Sequence, residues 1–134
     1  MEIIIDNNVL FSLMKPNSTN SKLFYILKSR FISPEFIKQE FKKYEKECFL
    51  KAGISNQEFE KRKKDVFQKI EFIEFSHYNE YKKEAVSIIK DLDDWPYIAL
   101  ALKKECPIWS NDSELRQQSK VKVLSTEDII EIVF

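Results

Sequence analysis

Short apolar runs alternate along this chain with longer amphipathic segments, and this alternation limits the possible folds. The first run, at residues 2–5, is rich in β-branched residues and stops at Asp6, as a fully buried strand does. Strands that alternate with helices favour a parallel sheet with right-handed crossovers. We therefore predict an α/β fold, a three-layer α/β/α sandwich with a central parallel sheet. The predicted strands are EIII (2–5), RFIS (30–33), EFIEF (71–75), PIWS (107–110) and VKVLS (121–125).

Capping signals and apolar periodicity predict where the helices begin and end. Ser33 and Pro34 suit the cap and the first position of one helix. SNQE at 55–58 suits a capping box, and Pro96 is acceptable only in the first turn of a helix that begins near Asp94. The predicted helices cover about 20–29, 34–51, 55–70, 77–90 and 94–105, and two more begin within NDSEL and TEDIIEIVF.

The overall composition is that of one folded domain spanning residues 1–134. The chain is 43% hydrophobic and 13% aromatic, which is enough for a sizeable core. Its 22 basic and 22 acidic residues cancel, so no general basic field indicates nucleic-acid binding. The start has no signal peptide and no run long enough to span a bilayer, so we expect a cytoplasmic protein without membrane contact. Cys48 and Cys106 fit no metal-ligand spacing, and we expect two reduced thiols.

Two acidic residues follow predicted strands. Asp6 comes directly after the first strand and Asp112 comes shortly after PIWS. Either residue alone is explained as a helix cap or a turn former. The carboxyl ends of parallel strands meet at one edge of a sheet, where the functional sites of open α/β proteins lie. The pair therefore indicates a site at this edge.

Glu40 is an acidic residue on an apolar helix face. On a 3.6-residue period it falls inside the stripe formed by Phe36, Ile37, Phe41 and neighbouring apolar residues. One interpretation is that its side chain extends to solvent or pairs with a lysine, because buried unpaired charge is costly. The other is a functional role, since carboxylates on core-facing positions are often found at functional sites.

The segment DLDDWPYIALAL at 91–102 places Asp91, Asp93 and Asp94 in front of a helix that is apolar on most sides. A helix N-terminus stabilises one negative charge by about 0.3 to 1 kcal/mol. Three neighbouring carboxylates repel and raise one another's pKa unless a cation or solvent separates them. Capping therefore explains one of the aspartates but not all three.

Four segments in order resemble the motifs of PIN-domain nucleases. IIIDNNVL resembles their opening Asp-x-Asn, and SPEFIKQEF resembles the second motif, which carries a glutamate. DLDDWPYIALAL and IWSNDSEL resemble the third and fourth motifs, and VKVLSTEDII fits the closing strand and helix. The resemblance covers nearly the whole chain and departs at position 7, which is Asn where a small or hydroxyl residue is common.

The resemblance implies a nuclease that depends on Mg²⁺ or Mn²⁺ and hydrolyses phosphodiester bonds, with an RNA substrate favoured over DNA. It also implies a toxin role with an antitoxin partner, and homodimerisation. The acids that it assigns to catalysis and metal binding are Asp6, Glu40, Asp94 and Asp112. Asp91 is assigned as an additional acid near the metal, Asn8 and Ser110 as supporting residues, and Asp93 has no assigned role.

Other functions fit the residues less well. A metal-independent ribonuclease normally needs two histidines, and His77 is the only one. A receiver-type phosphoacceptor domain needs a second acid near the first strand, and a haloacid dehalogenase phosphatase needs Asp-x-Asp there, whereas Asn7 and Asn8 follow Asp6. A non-catalytic RNA-binding module with the same fold would not need the four acids.

Substrate-binding residues are less clearly indicated. The basic residues at 42–43 and 61–64, with Arg116, Lys120 and Lys122, could line a phosphate path or simply form solvated helix faces. The aromatic residues Trp95, Tyr97 and Trp109 could stack on bases or belong to the core.

Overall fold

Five parallel strands form the central sheet of this computed structural model, which describes residues 1–134. The strands are β1 (Glu2–Ile5), β2 (Arg30–Pro34), β3 (Ile70–Ile73), β4 (Ile108–Trp109) and β5 (Val123–Leu124). Their order in the sheet is β3-β2-β1-β4-β5. Ile4 of β1 is aligned with Ile32 on one side and with Ile108 on the other. The strand order thus reverses between β1 and β4, where α/β proteins commonly form their sites.

Eight helices connect or follow these strands. They are α1 (Asn7–Leu13), α2 (Thr19–Ile26), α3 (Phe36–Ala52), α4 (Asn56–Gln68), α5 (Lys82–Ile88), α6 (Trp95–Lys104), α7 (Ser113–Gln117) and α8 (Thr126–Val133). Contacts join α1 to α2 and α3, α3 to α4, and α2 to α8, while α5 packs on α6. Right-handed crossovers on either side of the reversal put these two groups on opposite faces. The predicted three-layer α/β/α fold is confirmed.

Helix α6 is the most deeply buried helix, which explains its apolar composition. Every residue from Pro96 to Ala101 is buried, and the helix contacts β1, β2 and β4. The N-terminus of α6 is therefore held against the sheet, which fixes the backbone of Asp94 directly before it. None of the helices has both the length and the apolar composition that crossing a membrane requires.

The predicted start of α3 is wrong by two residues. Ser33 and Pro34 belong to β2, and Glu35 precedes α3 without a capping hydrogen bond from its side chain. The Ser33 hydroxyl instead donates to the Ile5 carbonyl oxygen at 2.9 Å, deep in the protein. The Ser-Pro pair suits a helix start locally, but here pairing between strands prevails.

Two other helix predictions need correction. The single helix predicted over 77–90 is instead two 3₁₀ turns, Phe75–His77 and Asn79–Tyr81, followed by α5. The buried Tyr78 ring packs near Phe75 and Trp95 and so interrupts the helical period. Helix α1 was not predicted, although Asp6 caps it. The capping box at Ser55 and Glu58 is confirmed, and Cys48 and Cys106 are free thiols.

Candidate active site

Four carboxylates from separate parts of the chain influence one another at the carboxyl edge of the sheet. Asp6 directly follows β1, Glu40 lies in the second turn of α3, Asp94 directly precedes α6, and Asp112 lies after β4. The negative charges of Asp112, Glu40 and Asp6 all raise the pKa of Asp94. We refer to these four residues as the acid quartet. Because these segments are far apart in the sequence, the fold itself creates the concentration of negative charge.

Asp6 is the most deeply buried member of the quartet, with 2% of its surface exposed. Its Oδ1 accepts a hydrogen bond from the Val9 backbone N–H at 2.8 Å, which caps α1. Burial, with smaller contributions from Asp112 and Glu40, raises the pKa of Asp6 to about 6. Hydrogen bonds from Ser110 and Val9 act in the opposite direction, since they favour the ionised form.

Ser110 connects Asp6 with Asp112. It is fully buried directly after β4, and its backbone N–H donates to the Leu124 carbonyl of β5 at 3.0 Å. Its hydroxyl oxygen accepts a hydrogen bond from the Asp112 backbone N–H at 3.0 Å. The Asp112 carboxylate in turn accepts one from the Glu114 N–H at 2.8 Å. Ser110 thus fixes the turn that carries Asp112.

Glu40 has a hydrogen-bond donor for each of its carboxylate oxygens. The Asn7 side-chain amide donates to Oε2 and the Tyr97 hydroxyl donates to Oε1, both at 3.0 Å. Burial is the main cause that raises the pKa of Glu40, and the charges of Asp93 and Asp91 add to it. Burial and the Glu40 charge hold the pKa of Tyr97 well above its usual range, so this hydroxyl remains a donor.

Asp94 differs from the other three acids because no hydrogen-bond donor contacts its carboxylate. Although it occupies the position before α6, its side chain makes no capping bond. Burial raises the pKa of Asp94 to about 7, and Asp91 makes the largest contribution among the neighbouring charges. In the metal-free protein Asp94 is therefore the carboxylate with the least compensation for its negative charge.

The flanking polar residues have different positions. Asp91 is exposed, and its Oδ1 accepts a hydrogen bond from the Asp93 N–H at 2.9 Å. Asp93 is also exposed, yet its charge reaches Glu40. Asn8 is exposed and makes no hydrogen bond to the quartet, whereas Asn7 does. Sequence reasoning missed the contacts of Asn7 and Tyr97. The departure at position 7 and the three-residue spacing of Tyr97 from Asp94 were signals that could have indicated them.

The quartet has the donor chemistry of a site for a hard divalent cation, but its side chains are not closed around one position. No group of three or more His, Cys, Asp or Glu side chains is arranged to hold a metal ion. All four groups are carboxylates, the ligand type that Mg²⁺ and Mn²⁺ prefer. Asp94 also lacks any other positive or hydrogen-bonding partner. These observations fit a site for a divalent cation. Binding of the cation would require the carboxylate side chains of the quartet to move closer together.

Two hollows open from the quartet to solvent. One, of about 500 Å³, lies between α1 and α3 and begins at Asn7 and Glu40. Lys15 and Lys51 also line it. The other, of about 540 Å³, lies between Asp94 and α7. The two hollows therefore begin at different members of the quartet, Glu40 and Asp94.

Several residues that sequence analysis related to substrate have structural roles. Tyr97 and Trp109 are fully buried, while Trp95 is half-buried. Within the basic segment 61–64, Arg62 donates to the Leu13 carbonyl at 2.8 Å. Lys63 forms ion pairs with Glu45 and Glu60. Arg62 and Lys63 therefore hold α4 against α1 and α3, whereas Lys61 and Lys64 are exposed.

Comparison with known proteins gives a family match and a structural match. The family model described as PIN domain matches residues 4–131. No curated protein matches the chain. Among solved structures the chain is similar to VapBC2 from Rickettsia felis, crystallised with a DNA fragment from their promoter. The TM-score is 0.64 at 12% identity, covering 93% of this chain and 98% of that chain, so this likeness concerns the fold alone.

Proposed function

The chain belongs to the PIN-domain family, and on this premise we propose that it is a metal-dependent endoribonuclease. The residues that would bind Mg²⁺ or Mn²⁺ and carry the reaction are Asp6, Glu40, Asp94 and Asp112. The observation that supports this most is that burial and neighbouring negative charges raise the pKa values of Asp6, Glu40 and Asp94 at one sheet edge, that of Asp94 to about 7. Strongly perturbed acids in an open site are characteristic of catalytic centres.

Each acid would contribute in a different way. When bound, a divalent cation supplies Lewis-acid chemistry, which activates water and neutralises charge on the scissile phosphodiester. Asp6 and Asp112 are held by backbone N–H groups, so they form the fixed side of the site. Asp94 has no such restraint and can adjust its side chain. Asp91, next to Asp94, is a further acid that could bind metal-bound water, while Ser110 supports Asp6 and Asp112.

The test is cleavage of a 5′-labelled single-stranded RNA with Mn²⁺ or Mg²⁺. We expect hydrolysis that leaves 5′-phosphate and 3′-hydroxyl ends and stops in excess EDTA. Asp6→Asn and Asp94→Asn should each lower the rate by more than the roughly 10- to 100-fold typical of residues that only orient a metal ligand, since each removes a ligand charge. His77→Ala is the control and should retain activity. Cleavage that persists in EDTA or in both variants would exclude this mechanism, and faster cleavage of a matched DNA would reverse the substrate assignment.

We propose further that the protein acts as the toxin of a toxin–antitoxin pair. The similarity to a VapBC2 structure supports this role through the shared fold. Expression of the chain alone should arrest growth, whereas the Asp94→Asn variant should not. Co-expression with the product of a small adjacent reading frame should restore growth and yield a complex that co-purifies. Normal growth with the active wild-type chain would contradict the toxin role.

A further inference from the structure

Asn7 and Tyr97, from two different helices, donate hydrogen bonds to the two carboxylate oxygens of Glu40. Asn7 is the first residue of α1, next to Asp6, and Tyr97 lies in the first turn of α6, three residues after Asp94. The two donors thus connect α3 with both segments that carry neighbouring acids. We call the arrangement of Asn7, Glu40 and Tyr97 the Glu40 clamp.

The clamp leaves Glu40 able to bind a further group. An ionised carboxylate has about four acceptor positions, and the two donors occupy one on each oxygen. The remaining positions are available to a cation or to a water bound by one. Tyr97 is fully buried and its hydroxyl has no other hydrogen-bond partner, so its ring is fixed by packing and its hydroxyl is committed to Glu40.

We propose that Asn7 and Tyr97 are positioning residues that orient Glu40 toward the metal position of the acid quartet. This inference rests on the proposed function, and it gives a role to the departure from the family pattern at position 7. An Asn side chain extends from α1 to Glu40, a span that a shorter hydroxyl side chain would not cover. Residues that orient a metal ligand typically change metal affinity or activity by about 10- to 100-fold when they are removed.

The first measurement is Mn²⁺ affinity, followed by the electron paramagnetic resonance signal of free Mn²⁺ without any RNA. Tyr97→Phe and Asn7→Ala should each weaken Mn²⁺ binding about 10-fold or more. The matched controls are Tyr44→Phe and Asn56→Ala, which change the same residue types on exposed positions without a hydrogen bond to Glu40. The controls should bind Mn²⁺ as the wild type does.

A double-mutant cycle shows whether the two residues act through Glu40. In a Glu40→Gln background, Tyr97→Phe and Asn7→Ala should cause less than about a 3-fold further loss of Mn²⁺ affinity, because the oriented carboxylate is already gone. A purely structural role would instead weaken binding equally in both backgrounds, or lower only the melting temperature. Either result would overturn the proposal.

The same experiments separate this inference from the proposed function. A wild-type chain that binds no Mn²⁺ and cleaves no RNA contradicts the proposed function, and the clamp then has no metal to serve. If both clamp variants bind Mn²⁺ as tightly as the wild type does, the result contradicts the clamp proposal but not the proposed function. Because the two variants alter different elements, misfolding of one leaves the other as the test.

Discussion

At the scale of single residues, the four acids differ in how their charge is compensated. Asp6 and Asp112 accept backbone hydrogen bonds at helix starts, and Glu40 accepts two side-chain hydrogen bonds. Asp94 has none. Strand ends, a helix start and the apolar face of α3 drew attention to these acids separately, and only the resemblance to PIN-domain nucleases assigned all four to one site. The sequence could not indicate how the charge of each acid is compensated, because this depends on side-chain contacts between residues distant in the chain.

The raised pKa of Asp6 predicts a pH dependence of stability. The carboxyl has a pKa of about 6 in the folded protein and 3.8 ordinarily, so the folded state holds its proton more tightly. The free energy of unfolding should therefore fall as pH rises from about 4 through 6, by roughly 3 kcal/mol at most for this group. Urea unfolding in EDTA at pH 4 and pH 8 measures most of this decrease.

Asp6→Asn should remove the Asp6 contribution to this pH dependence, leaving that of Asp94, and should stabilise the metal-free protein at pH 8. Asparagine caps helices about as well as aspartate, and its carbonyl can still accept from the Val9 N–H. We expect a gain of about 1 to 3 kcal/mol at pH 8. Glu131→Gln, on the exposed side of α8, is the control and should leave the difference between the two pH values unchanged. A less stable Asp6→Asn protein at pH 8 would contradict the argument.

At the scale of elements, tertiary contacts explain where sequence-based prediction succeeded and failed. The order of strands and helices followed from the alternating pattern, and the capping box of α4 was predicted correctly. The failures occurred where a residue that suits one local structure packs in another. Ser33 satisfies the end of β1 instead of capping α3, and the burial of Tyr78 interrupts the predicted helix. Neither contact leaves a periodic signal in the sequence.

The Ser33 hydroxyl links β1 to β2 beside the site, and this hydrogen bond should contribute to the free energy of unfolding. Its buried hydroxyl donates to the Ile5 carbonyl, one residue before Asp6. Ser33→Ala should lower the free energy of unfolding by about 1 to 3 kcal/mol, because a buried acceptor loses this partner. Ser119→Ala, at an exposed position, should change it by less than about 0.5 kcal/mol. Urea unfolding of both variants provides the comparison, and equal stabilities would show that the Ser33 bond contributes nothing.

At the scale of the whole molecule, a neutral chain concentrates negative charge at one edge. The formal net charge is zero, yet five carboxylates, those of the quartet and Asp91, influence one another beside α6. The apolar surface that α6 and the sheet bury offsets the repulsion between these carboxylates. The position of the site follows from the topology, since the reversal of strand order brings Asp6 and Asp112 together. The fold does not determine the substrate, because substrate recognition depends on the surfaces around the site.

This charge distribution predicts that Mn²⁺ stabilises the whole fold and that monovalent salt does so only weakly. A ligand that binds only the folded state adds about 2.7 kcal/mol at a concentration 100 times its dissociation constant. Sodium chloride only screens the repulsion and should add less at equal ionic strength. The Mn²⁺ effect should be larger at pH 8 than at pH 5, because the carboxylates must release their protons to bind it. Thermal melts of the wild type and Asp94→Asn at both pH values measure these differences. A wild-type melting temperature that responds equally to Mn²⁺ and to ionic strength, or an Asp94→Asn protein stabilised as strongly by Mn²⁺, would show that the quartet does not bind the cation.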